Sequence, residues 1–352
     1  ITPTHVLMTA ATLIIIGAIG YFLSSWRGVL IPVAIALIVW FLISATASRL
    51  HRAISLPQWL AQLVVTVLLF LISYGIGRSI YAQFLAIQRQ ASEYQEKLTN
   101  IITRIGNQYG FEVQDVTGLF AEINFVSFVS SIASTATGVV ATSFLVLLYV
   151  LLLSFEQHLF PLKMRAMFGM GEVRKTADST LHQIQEKVQR YVAVKTFVSF
   201  LTGFLSCMIM LFAGVEHAIF WSFLIFLLNF IPNIGSVIAV FLPVIMTLIE
   251  TESPGTALGL AIGLTAVQQV LGSLVEPRLM GQSLNISPFV VLVSLTVWGS
   301  MWGLTGMFLC VPLTVVAMIV MAEFPNTRPI ALMLSRDGNL TAPTLRSDAD
   351  QE

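Results

Sequence analysis

Seven stretches of roughly 18 to 20 residues contain no charged side chain, at 6–25, 28–47, 58–77, 136–155, 196–214, 256–275 and 304–321. A helix needs about 20 apolar residues to cross the hydrocarbon layer of a bilayer. A backbone that crosses lipid must satisfy its own peptide groups, which leaves only helices or a closed barrel. Barrel strands take only about 10 residues, so runs of this length specify helices. Composition agrees: 56% of the 352 residues are hydrophobic and 10% charged, against about 25% charged in a soluble domain. The expected fold is therefore all-α and polytopic, with about seven or eight full spans. The first stretch, 6–25, is too long for a signal-peptide core and reads as a retained span.

Two further apolar regions are interrupted. Residues 218–250 read AIFWSFLIFLLNFIPNIGSVIAVFLPVIMTLIE, with Asn229, Pro232, Asn233 and Gly235 at the centre. Proline lacks a backbone donor and clashes with the preceding turn, and glycine admits dihedrals closed to other residues. Region 287–303 is likewise too short to cross comfortably, so both regions read as short or re-entrant helices. Interrupted membrane helices are a recurrent way to build a solute site, because freed peptide groups there are tolerated only along a cavity or within protein. The expectation is that carbonyl and amide groups at 229–235 take over the hydration of a passing solute.

Basic residues in short connections favour the cytoplasmic side. Arg49, His51 and Arg52 follow the second stretch, and segment 156–195 holds seven basic and four acidic residues. Both termini then lie in the cytoplasm, and 78–135 lies on the opposite face. The resulting organisation is N-terminal spans at 1–77, an extracytoplasmic helical segment at 78–135, a span at 136–155, a cytoplasmic amphipathic segment at 156–195, a transport core at 196–323 and a cytoplasmic tail at 324–352. Ile80, Phe84, Ile87, Ala91, Tyr94, Leu98, Ile101 and Ile105 recur at steps of four and three, the pattern of a coiled-coil seam. That amphipathic helix either packs on its own chain or joins copies of it. Lys187, Arg190 and Lys195, at the end of the cytoplasmic segment, are placed at the lipid headgroups.

Enzymatic chemistry finds no footing. The chain has no GxxxxGK[ST] phosphate loop, HExxH pair or GxSxG elbow. Its five aspartates fall outside the apolar stretches, and its histidines have no metal-ligand spacing. Neither cofactor nor metal is expected. Cys207 and Cys310 lie in apolar runs and read as small hydrophobes, and with 18 basic and 18 acidic residues no net field points to nucleic acid. What remains is a set of polar groups in the C-terminal half: Asn229, Asn233, Gln268, Gln269, Glu276 and Asn285. Neutral amides can bind a polyhydroxylated solute, and Glu276 is either half of a structural cluster with Arg278 or a coupling carboxylate. Gly255, Gly259 and Gly263, with Gly299 and Gly303, are spaced for close helix packing. Trp298 reads as an interface anchor or a wall of the solute path.

Phe230-Ile-Pro-Asn-Ile-Gly-Ser236, then Glu276-Pro-Arg-Leu-Met-Gly281, Leu284, Pro288, Trp298-Gly299, Gly303, Gly306 and Val311-Pro312-Leu313 resemble the motifs of the autoinducer-2 exporter family of bacterial membrane proteins. The resemblance covers most of the chain and is concentrated at 190–320. It implies export of the furanone-type quorum-sensing signal derived from dihydroxypentanedione across the cytoplasmic (inner) membrane, with sodium or lithium/proton antiport assigned to some members. It also implies a homo-oligomer, with a pentamer as the associated form. By the same resemblance Pro232, Asn233 and Gly235 form the broken-helix element, with Glu276, Pro277 and Gly281 as its partner motif. The leading reading is an exporter of a small, neutral, hydrophilic signal. The alternatives are a cation/proton antiporter centred on Glu276 and a non-transporting assembly protein that holds a partner through 80–105.

Overall fold

A computed structural model describes residues 14–15, 17–109, 142–168, 172–281 and 284–338. The start of the first apolar stretch, the far part of the 78–135 segment, residues 136–141 and the end of the tail lie outside the described residues. Described residues are overwhelmingly helical, and their β character is a single isolated bridge between Ile286 and Ser335. In chain order the helices are α1 (Arg27–Ile54), α2 (Gln58–Tyr109), α3 (Thr142–Glu156), α4 (Phe160–Phe168), α5 (Glu172–Phe212), α6 (Ala218–Leu228), α7 (Ile234–Thr251), α8 (Pro254–Gln269), a π-helical turn (Val270–Val275), α9 (Glu276–Met280), α10 (Pro288–Glu323) and α11 (Arg328–Leu334). Among the described residues six helical segments are long and apolar enough to cross a membrane, and α3 and α6 are shorter apolar helices. Leu63, Val67, Leu68 and Leu71 on α2 are exposed. On a helix of spanning length, such a face is suited to lipid.

The chain forms two compact units. One holds Ile43–Leu148 and Val194–Leu279, the other Ile1–Leu42, Tyr149–Ala193 and Met280–Glu352. Residues 218–251, in the first unit, form a helical hairpin. The Glu216 N–H donates to Glu250 Oε2 at 3.2 Å across 34 sequence positions, so the chain turns back between them. At 1.5 Å per residue the first leg, α6, is only about 17 Å long against a layer of about 30 Å, whereas α7 is long and apolar enough to cross one.

Its turn is closed by a backbone contact that leaves no room for a side chain. A Cβ on Gly235 would lie 1.8 Å from the Leu228 carbonyl oxygen. Asn233, at φ 59 and ψ −56, reverses the chain direction just before α7. At the open end α2 holds the hairpin: Gln83 Oε1 accepts from the Phe220 N–H at 3.2 Å, capping an orphan donor of the first turn of α6. Phe84, Ile87 and Tyr94 of α2 pack in the core with Val215, Trp221, Met246 and Ile249. Burial, and next the nearby Glu250 and Glu216 carboxylates, hold the Tyr94 hydroxyl above its usual pKa. The 80–94 part of the heptad seam is therefore spent within the chain. The period-3.5 pattern is common to coiled coils and to ordinary helix packing, so spacing alone left the two open.

The second unit contains a hairpin built the same way. Within α10, Gly303 has φ 62 and ψ −143, outside helical space. The Trp298 Nε1–H donates to Thr314 Oγ1 at 3.2 Å, 16 positions on; a straight helix would hold these residues about 24 Å apart. Residues 304–321 are therefore the returning leg of a hairpin whose first leg is 288–302, and not an independent span. A Cβ on Gly306 would sit 1.9 Å from the Trp298 carbonyl oxygen, so Gly306 does for this turn what Gly235 does for the other.

The remaining glycines behave less uniformly than their spacing implies. Gly263 lies against Ile209, whose side chain would be 3.2 Å from an added Cβ, but Gly259 has nothing within 4 Å and Gly255 only the Ser253 hydroxyl at 3.9 Å. Of that row, only Gly263 makes a close helix contact. Gly299 meets the Met307 side chain at 3.0 Å, whereas Gly303 has open space and serves through its positive φ.

These geometries predict opposite results for two glycines of one unit. Gly235→Ala forces a carbon into a carbonyl and should destabilise the protein by on the order of 1–3 kcal/mol or more, read as a fall in the thermal midpoint of the detergent-solubilised chain. Gly259→Ala should leave the midpoint unchanged or slightly raised, since alanine favours the helix. Equal midpoints for the two variants would refute the turn geometry.

Candidate functional site

The helix that runs past the broken hairpin carries a polar seam through its apolar stretch. Lys195, Ser199, Thr202 and Ser206 of α5 recur at steps of four, three and four, which places them along one side of a helix. All four are buried, at 6%, 0%, 1% and 1% exposure. Gly203 lies between them in sequence, and an added Cβ there would meet the Ser222 carbonyl of α6 at 2.9 Å, so α5 and α6 pack closely. That approach lets Asn229, at the C-terminal end of α6 and 4% exposed, donate from Nδ2 to Ser199 Oγ at 3.0 Å.

On the other side of the seam, α8 and its continuation run antiparallel to α5. Gly263 meets Ile209, and Lys195 Nζ donates to Glu276 Oε1 at 2.7 Å. Side-chain exposures of 8% and 19% make this an interior ion pair. The carboxylate is aimed by the π-helical turn. Pro277 has no N–H and its ring collides with the carbonyl four residues back, and the turn before it is widened so that the Glu276 N–H reaches Leu271 O, five residues away. One extra residue in a turn rotates the rest of the helix by roughly 100°. Glu276 is thereby presented to Lys195 and not to Arg278, the partner expected from sequence. Lys195 in turn is buried within the protein; the proximity of a carboxylate 81 positions away has no local sequence signal.

The N–H groups of Asn229, Phe230, Ile231, Ile234 and Gly235 donate to Ile225, Leu227, Leu228, Pro232 and Ile231 carbonyls, and Pro232 has none to give. These five donors are satisfied within the turn, and buried side chains add further polar groups beside it. Four buried side-chain atoms in this unit, Ser206 Oγ, Trp221 Nε1, Glu250 Oε1 and Gln268 Nε2, have no hydrogen-bond partner among the described residues. Native structures leave few such atoms, and each wants a water or a solute.

Other sequence-chosen residues stand apart. Asn233 is exposed and important for its dihedrals, Gln269 is exposed and accepts from Ser273, and Pro277 is exposed and acts on the helix path. Gly281, at φ 57 with the Arg190 guanidinium 3.7 Å from where a Cβ would stand, and Trp298, bonded to Thr314, belong to the other unit. Ser199, Thr202 and Ser206 escaped the sequence reading, although hydroxyls repeating at helical spacing inside an apolar run were a usable signal. No cluster of three or more His, Cys, Asp or Glu able to hold a metal occurs among the described residues.

A polar, charge-balanced seam along a broken hairpin is transporter architecture, and comparison with known proteins agrees. The family model described as AI-2E family transporter matches residues 7–326. The chain belongs to the AI-2E family of transporters. Its relatives include the Haemophilus influenzae protein named "Putative transport protein", 31% identical over 92% of this chain and 94% of that one. Another is "Putative transport protein YhhT" of Escherichia coli (strain K12), 27% identical over 95% of each. The "AI-2 transport protein TqsA" of the same organism is 33% identical over 60% of each chain. This AI-2E family member is thus a multi-pass membrane transporter, with Pro232-Asn233 and Glu276-Pro277 in a single unit.

The ion pair makes a distinctive prediction. Glu276→Gln leaves a buried ammonium uncompensated and should destabilise by about 3–5 kcal/mol, whereas Lys195→Met combined with Glu276→Leu should recover most of that loss. Thermal midpoints of the single and double variants, compared in one detergent, check this; a double variant as unstable as the single one would show that the two residues do not depend on each other.

Proposed function

We propose that this transporter exports a small, neutral, hydrophilic signal of the autoinducer-2 type across the bacterial cytoplasmic membrane, with both termini in the cytoplasm. The observation that carries the reading is the seam itself: Ser199, Thr202, Ser206 and Asn229 are neutral hydrogen-bonding groups buried in a membrane helix bundle. The one cation among them, Lys195, is neutralised by Glu276. A seam with no uncompensated charge favours a polyol or hydrated carbonyl over an ion, because a neutral solute replaces its hydration with hydroxyls and amides and needs no counter-charge. The relative named as an AI-2 transport protein supports the signal class. A homo-oligomeric assembly belongs to this proposal, with the exposed apolar faces of α2 as the surface available to lipid or to neighbouring copies.

A second reading rests on the same ion pair. A lysine and a carboxylate 2.7 Å apart within the protein can exchange a proton for a sodium or lithium ion, so antiport is the competing activity. Flux through reconstituted vesicles separates the two. Export predicts uptake of the dihydroxypentanedione-derived furanone into protein-containing vesicles without a cation gradient. Asn229→Leu and Ser206→Val should each lower that rate about tenfold, the equivalent of one hydrogen bond to solute. Furanone flux equal to that of empty vesicles, together with sodium-dependent dissipation of a pH gradient, would replace the export reading with antiport.

A further inference from the structure

The second unit holds a cavity of about 760 Å³ that the transport reading leaves unused. It is lined by Met164 and Met167 from α4, Leu181 and Ile184 from α5, and Val320 and Phe324 at the end of α10. The polar groups on it are Thr176, Thr180 and the Glu323 carboxylate, and Glu323 Oε1 accepts from Thr180 Oγ1 at 2.9 Å. Such a lining offers contact to an alkyl chain and almost nothing to orient a water-soluble ligand.

Position argues for the source of that chain. The apolar helix α3 ends at Glu156, and the returning leg of the 288–323 hairpin ends at Glu323. α4 then runs on from α3 with Lys163 and Arg165 among its apolar residues. The cavity thus forms where this unit's helices change from uncharged to charged sequence, the level at which acyl chains give way to headgroups. Met167 and Phe324 are 72% and 59% exposed, so its mouth is open.

We propose that this cavity holds an acyl chain of an anionic phospholipid drawn from the adjoining leaflet. Hydrophobic burial supplies no preference among lipids, because the chain leaves one apolar medium for another. Selectivity must come from the headgroup; Glu323 is the charged residue of the lining, and exposed arginines follow the lining residues in sequence. Arg165 is exposed next to Met164, and Arg328 is exposed four residues beyond Phe324 at the first position of α11. Lys163 pairs loosely with Glu156 at 3.3 Å, both well exposed. Two arginines at about 1 kcal/mol each near an anionic surface correspond to roughly thirtyfold preference over a zwitterionic lipid of the same chains. The occupied cavity would bridge α4, α5 and the end of the 288–323 hairpin, adding to the Thr180–Glu323 hydrogen bond that already links the last two.

Native mass spectrometry of the full chain in detergent, titrated with dioleoyl phosphatidylglycerol and with dioleoyl phosphatidylcholine, tests this. The wild type should retain the glycerol lipid about thirtyfold better. Arg165→Glu with Arg328→Glu should bring the two lipids to near equality while the thermal midpoint stays put, and Ala177→Trp, which fills the cavity, should abolish retention of both. Equal retention of the two lipids by the wild type, or a preference that survives the double arginine change, would overturn the proposal. So would efficient disulfide formation between copies carrying Met167→Cys in a cysteine-free background, since that would put a second copy over the mouth.

Discussion

Hydrocarbon offers no partner to a peptide group, so any reversal of a chain within it has to close its own hydrogen bonds in a few residues. The 229–233 turn does this by bending so tightly that the Leu228 carbonyl accepts from Ile231 three residues on and lies against Gly235 of the returning leg. That bend exists only because position 235 lacks a Cβ. Everything assembled around the turn depends on it: the return of α7 along α6, the Glu216–Glu250 contact at the open end, and the placement of Asn229 against Ser199. The 288–323 hairpin repeats the solution with Gly303 to reverse the chain and Gly306 to let the legs meet. Two unrelated stretches of sequence meet the same physical demand with the same device.

Beside the turn, α5 supplies buried polar side chains. An ammonium there is tolerable only with a carboxylate in contact, and the π-helical turn before Pro277 is what brings Glu276 round to Lys195. The outcome is a seam that is polar yet neutral. Neutrality has a functional consequence: an uncompensated charge would hold an ion of opposite sign and repel others, whereas hydroxyls and amides exchange readily with the hydration shell of a small oxygen-rich solute.

Much of this was legible before any coordinates. Helical spans follow from uncharged runs too long for anything else, and the break at 229–235 follows from proline and glycine in a place where lipid permits no loose backbone. That 218–250 and 287–303 are built from short pieces follows from the lengths of their apolar runs. Less was legible where a local pattern has two physical uses. A seam of period 3.5 serves a partner chain or the chain itself, which sequence left open, and at Phe84, Ile87 and Tyr94 it serves the latter. A glycine row permits close packing without requiring it, and only Gly263 uses the permission.

Sequence alone determined the class of molecule, the position of its helix breaks and its family, because these rest on local properties: hydropathy over a window, the missing donor of proline, the missing side chain of glycine, and motifs in a fixed order. Tertiary structure decided which distant groups meet. No local signal pairs Lys195 with Glu276 until the fold sets them together, and Ser199, Thr202 and Ser206 read as incidental hydroxyls until α6 closes over them. Burial and charge pairing are properties of the assembled neighbourhood, and residues 81 positions apart share a neighbourhood only after the chain has folded.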